Sequence, residues 1–166
     1  MNGQFIGKFR GVVTDIQDPL QMGRIRAKVP DVLGDHESGW AMPSFPMGGS
    51  GMGFFALPKV NALVWLEFEH GNSSKPIWTG CWYGNASEVP PALMAPPYKK
   101  VLLKTEGGHS ITLDDTPGAG GIILETSGGQ KIKLTSQGIE IDNGMGGKIT
   151  MQGPQVSVNS GALEIV

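Results

Sequence analysis

At 166 residues the chain has room for one or two small domains around a modest core, and too little for a large enzyme scaffold. A net charge of −2 offers no basic field for nucleic acid or an anionic bilayer, and the one cysteine, Cys81, excludes an intramolecular disulfide or a multi-cysteine metal site. Twenty-six glycines and twelve prolines without a collagen period mean many turns, while Val, Ile, Leu and Phe stay frequent enough to exclude low complexity.

The opening MNGQFIGKFRG has no apolar h-region or small-residue cleavage site, so no classical signal peptide is expected. Residues 4–16, QFIGKFRGVVTDI, have strand composition, and DPLQMG (18–23) is a turn. GRIRAKVP (23–30) alternates, with Arg24, Arg26 and Lys28 on its wet face and Ile25, Ala27 and Val29 on the other. The stretch 39–57 is nearly uncharged but broken by Pro43, Pro46 and several glycines, so no transmembrane helix fits there. VNALVWLEFEHG (60–71) is the strongest strand of this half, with Ala62, Val64, Leu66 and Phe68 on one face. KPIWTGCWYG (75–84) is a further short strand in which Gly80 marks a bulge or close backbone approach. Several strands with no helical period predict a small Greek-key barrel or sandwich over 1–86.

SEVPPALMAPPYKK changes the composition: its two Pro-Pro pairs predict a stiff, extended linker over 87–100. Beyond it, over 101–166, short strands alternate with glycine-rich turns. Apolar pairs at i and i+2 recur: Ile111/Leu113, Ile132/Leu134, Ile139/Ile141, Ile149/Met151, Val156/Val158 and Leu163/Ile165. Successive pairs from Ile132 lie 7, 10, 7 and 7 residues apart, looser than a fixed-period solenoid.

Such strands cannot stand alone. Ordering one residue's backbone costs roughly 1–2 kcal/mol, and burying an apolar side chain returns about 1.5–3 kcal/mol only if something covers it. A chain could coil on itself, but solenoids need regular coils and end caps. The uneven spacing favours identical chains wound together with their apolar faces on a shared axis and their strand edges paired between chains. The expected axis fillers are Ile132, Leu134, Ile139, Ile141, Ile149, Met151, Val156, Val158, Leu163 and Ile165.

The residues from 23 onward also carry a resemblance. GRIRAKVPDVLGDHESGWAMPSFPMGG, followed by GMGFFALPKVNALVWLEFEHGNSSKPIWTGCWYG, resembles the OB-fold domain of contractile-injection spikes. These are the baseplate assembly protein V and gp5-like spikes of phage tails and the VgrG spikes of type VI secretion. KTEGGHSITLDD resembles the entry into that family's triple-stranded β-helix. The resemblance implies an all-β homotrimer: three OB barrels as a collar and three C-terminal ribbons wound into an intertwined β-helix or β-prism. It implies the central spike of a contractile phage tail or tail-like particle, made in the cytoplasm and assembled in a baseplate. A tail-tube or hub protein would hold the collar, and the needle would puncture the target envelope mechanically. The chain departs from some relatives. No lysozyme domain stands between barrel and needle, and His36, His70 and His109 form no H-x-H pair of the kind that binds axial iron. GALEIV ends on an apolar strand, so a separate PAAR-type tip protein is expected to cover it.

Candidate chemistry is sparse. Asp114 and Asp115 are adjacent, point to opposite faces of a strand, and suit a turn before Thr116-Pro117. Glu67, Glu69 and His70 read as solvated strand-end charges, and Asp35, His36 and Glu37 supply too few fixed ligands for a metal. His109, Ser110 and Asp115 lack any nucleophile-elbow pattern. GGSGMG (48–53) has no Lys-Ser/Thr to make a phosphate loop, and Cys81 reads as a buried, inert thiol. Trp40, Phe45, Phe54, Phe55, Trp65, Trp78 and Trp82 read as core and subunit contacts. No catalytic, metal or cofactor site and no specific nucleic acid are expected. The rival reading is an OB-fold module for oligosaccharide or single-stranded nucleic acid, with the tail as an oligomerisation stalk.

Overall fold

The computed structural model describes residues 4–160 and 162–165, the last two of these by backbone alone. The chain divides into two compact units, one ending at Glu88 and the other beginning at Val89.

In the first unit the strands are β1 (Phe9–Asp15), β2 (Arg26–Lys28), β3 (Met42–Pro43), β4 (Gly48–Gly49), β5 (Met52–Gly53), β6 (Leu63–Phe68) and β7 (Pro76–Cys81). A single helical turn, α1 (Pro30–Leu33), follows β2 and starts on a proline. Five strands form one sheet in the order β2-β1-β6-β7-β3, antiparallel except where β3 meets β7. Two bridges join its ends, Ile25 with Ala41 and Lys28 with Glu37, so the sheet curls back on itself.

Alternation sets the core. Val64, Leu66 and Phe68 leave β6 on one face and are buried with Val13, Ile25, Ala27, Val29, Ala41 and Trp78. Leu66 lies over Gly11, where a Cβ would come within 2.4 Å of Leu66 Cδ1. Phe5, Phe9 and Phe68 close one end as a tilted aromatic trio, and the Trp78 Nε1–H donates to the Gly23 carbonyl at 3.0 Å. A bulge falls at Gly80, where Trp65 faces Gly80 but Leu66 already faces Trp78.

The proline-rich segment is turned rather than extended. Short 3-10 turns occupy Ala86–Glu88, ahead of the first proline pair, and Pro91–Leu93, where Pro91 sits at the first helical position that its fixed φ suits.

The second unit is an antiparallel meander of eight strands: β8 (Lys100–Lys104), β9 (Ser110–Asp114), β10 (Gly121–Glu125), β11 (Lys131–Thr135), β12 (Gly138–Asp142), β13 (Lys148–Gln152), β14 (Gln155–Val158) and β15 (Leu163–Ile165). Each pairs with its neighbour in sequence, so the inner strands find their edge partners within their own chain. This differs from the pairing between chains that the spacing suggests. The turns are short enough to close hairpins locally, which leaves the apolar face, not the strand edges, in need of cover. TEGGH and TSGGQ build the same turn: the Thr105 and Thr126 N–H groups donate to the His109 and Gln130 carbonyls, both at 2.9 Å. Gly138 marks a tighter point, because a Cβ there would lie 2.0 Å from the Met151 carbonyl oxygen.

Candidate functional site

The feature of the second unit with functional content is a surface. Strand register lines up its apolar residues in two parallel rows. One runs Leu103, Ile111, Leu124, Ile132, Ile141, Ile149, Val158 and Leu163, each paired with the next. The other runs Val101, Leu113, Ile122, Leu134, Ile139, Met151 and Val156, and ends at the backbone of Ile165. No polar residue interrupts either row among the described residues. Nine of the ten sequence-predicted axis fillers therefore share one face, and the Ile165 side chain lies outside the described residues.

That face is open to solvent. From Ile111 to Met151 its side chains are between 36% and 45% exposed, while Thr112, Ile123, Lys133, Glu140 and Thr150 on the opposite face are half-buried. The usual order of a one-sided sheet is inverted. An apolar groove of about 870 Å³ follows the first row, with Leu103, Leu124, Ile141 and Val158 in its walls. The predicted axis fillers start at Ile132, but register carries both rows upstream through Ile122 and Leu124 to Val101 and Leu103, which have the same i, i+2 spacing.

The opposite face is tied across its strands by charge. Glu140 takes Lys148 Nζ at 2.6 Å and Lys133 Nζ at 3.3 Å, and Lys131 reaches Glu125 at 3.4 Å. The Lys148 contact chiefly, then Lys133, holds the Glu140 carboxyl below its ordinary range, and Lys148 is pushed up in return. Asp114 accepts from the Thr116 hydroxyl at 2.6 Å and the Thr116 N–H at 3.0 Å, with Lys100 at 3.3 Å, and these partners lower its pKa. It therefore closes a turn and does not face a second carboxylate.

The barrel's polar groups are also engaged with one another. Asp18 accepts the N–H groups of Leu20, Met22 and Arg24 and the Arg24 guanidinium, which fixes the 18–23 turn. Arg24 is thus not on a wet face, because its buried counter-ion draws it in. Arg26 stacks on Trp40 at 4.9 Å, and Arg10 on Trp82 at 4.9 Å. Glu67 takes Lys8 at 2.6 Å, and Glu69 lies 3.8 Å from Lys75. In the second unit, His109 Nδ1 accepts the Ser127 N–H at 3.3 Å. Cys81 is exposed, contrary to the sequence reading, because it ends β7 where the sheet runs out; partial burial still pushes its thiol pKa up. Among the described residues no group of His, Cys, Asp and Glu is placed to hold a metal ion, and no helix is long and apolar enough to cross a membrane.

Comparison with known proteins matches both units. Residues 9–83 match the type VI secretion system/phage-baseplate injector OB domain, and residues 100–164 match the phage baseplate V C-terminal trimerisation domain. The chain is also 32% identical over 95 residues to the actin cross-linking toxin VgrG1 of Vibrio cholerae serotype O1 (strain ATCC 39541 / Classical Ogawa 395 / O395). That alignment covers 54% of this chain and 9% of the length of that protein. With a barrel of the injector type followed by an open apolar ribbon of the trimerisation type, the chain belongs to the gp5/VgrG-like baseplate V family of spike proteins.

Proposed function

We propose that this chain is the central spike of a contractile phage tail or phage-tail-like injection particle, acting as a homotrimer at the end of the tail tube. Residues 1–86 are the collar barrel, 87–100 the linker and 101–166 the needle. Three copies turn their double apolar rows onto one threefold axis, each covering the others. The observation that carries this reading is the inverted exposure of the ribbon: unbroken rows of Ile, Leu, Val and Met stand in water while the polar face is half-buried. An exposed face of that length demands a partner, and the trimerisation-domain match supports copies of the same chain.

A needle built this way works by stiffness. Every inner strand is hydrogen-bonded on both edges, and three ribbons packed on one axis resist bending. Puncture of the target envelope is mechanical, and no catalytic step is assigned to the chain. The barrel collar docks on a tube or hub protein of the baseplate, and a PAAR-type tip protein covers the C-terminal end. Binding of single-stranded nucleic acid has less support, because Asp18 neutralises Arg24 and the chain as a whole carries a net charge of −2.

Light scattering on the full chain at micromolar concentration tests the reading and is expected to give the mass of three copies. A folded single copy whose amides from 130 to 160 are fully protected from hydrogen exchange would overturn it.

A further inference from the structure

The barrel carries a second apolar surface that the ribbon does not explain. The β4–β5 hairpin, built on GGSGMG, projects Met47, Met52, Phe54 and Phe55, all roughly half or more exposed. Phe55 packs on Phe45 at 5.4 Å, and both rings close over Gly23, where a Cβ would come within 3.0 Å of each. The hairpin is therefore anchored at its base with its tip free. No charged residue occurs from Trp40 to Pro58.

Elsewhere on the barrel lies a surface of complementary character. Val12 faces Leu63 across β1 and β6, and the Trp82 N–H donates to the Leu63 carbonyl at 3.1 Å. The Trp82 ring lies 5.8 Å from Trp65, with Arg10 over both rings. Both tryptophans are half-buried, and the ring surface they leave open beside Arg10 is a platform suited to thioether and aromatic contacts.

We infer that the β4–β5 hairpin of one copy packs on the Trp65–Trp82 platform of the next copy, closing a ring of three barrels. The inference rests on the trimer reading above. Three reasons favour a second copy as the occupant. Chains held together through residues 100–164 and joined to their barrels by a short connector keep those barrels at an effective concentration of roughly millimolar order. A threefold ring uses head-to-tail contacts, so hairpin and platform must be different surfaces, as they are. An uncharged hairpin meets a neighbour of the same net charge without repulsion.

The test places the photo-crosslinking residue p-benzoylphenylalanine at Phe54 of the full chain. Expected are covalent links between copies, mapping to residues 9–15, 63–68 or 82–83, with a yield independent of protein concentration. Trp65→Ser is expected to cut that yield about tenfold while the particle keeps its three-copy mass. A three-copy mass with no link between copies overturns the inference and leaves the trimer standing. So does an undiminished yield in Trp65→Ser, or a link that grows with concentration into products larger than three chains. A single-copy mass overturns the trimer and the ring together.

Discussion

Ile132 and Ile141 face each other across β11 and β12, and both point to the side of the ribbon that one copy leaves in water. Ile141→Asp puts a carboxylate in the middle of the first apolar row. In the proposed trimer that means three unpaired charges on one axis, each costing several kcal/mol to bury. Light scattering should show loss of the three-copy mass. Thr150→Asp, on the opposite face, should keep it. A three-copy mass in Ile141→Asp would remove that face from the axis.

Gly138 opens β12 with φ of +146, where an alanine Cβ would stand 2.0 Å from the Met151 oxygen. Gly129 has φ of +87 but open space around it. Gly129→Ala should lose about 1 kcal/mol from backbone strain alone, whereas Gly138→Ala should lose distinctly more, since neighbouring backbone must move. Denaturant unfolding of the two variants checks the order.

Leu66 is wholly buried at the centre of the barrel. Leu66→Ala should destabilise the first unit by about 2–5 kcal/mol through lost burial and the cavity left behind. Hydrogen exchange should place the loss in residues 4–88. A loss confined to 100–165 would contradict the division into two units.

Asp18 is held well below its ordinary carboxyl value of 3.8, first by the Arg24 guanidinium and then by three backbone N–H groups. A depressed folded value favours the folded state at higher pH. The contribution is complete above the ordinary value and drains away as pH falls below about 4. Acid titration of wild type should therefore show the barrel losing stability below pH 4. Asp18→Asn should be less stable at pH 7 and flatter over that acid range. Equal slopes in the two proteins would show that the Arg24 contact does not govern the turn.

Much of this architecture can be read locally. Alternation in 23–30 and 60–71 separates the buried Ile25, Ala27, Val29, Val64, Leu66 and Phe68 from their neighbours, because side chains on a strand change face at every residue. The i, i+2 pairs from Ile132 onward announce a one-sided ribbon for the same reason, and the family motifs lie in contiguous stretches of sequence. Register, however, depends on turn length and bulges. Only the folded chain shows that Leu103 lines up with Ile111, Val101 with Leu113 and Leu124 with Ile132 in continuous rows.

Counter-ions are equally invisible in the alternation. The basic row of 24–28 reads as wet until the 18–23 turn brings the Asp18 carboxylate against Arg24 and Trp40 comes to lie against Arg26. Cys81 reads as buried until β7 ends at it. Composition and period by themselves determined an all-β chain with a barrel half and a one-faced ribbon half, since both properties are local to each strand. The tertiary structure decided which strands pair, which charges find partners and how far the bare face runs, because those depend on contacts between residues distant in the chain.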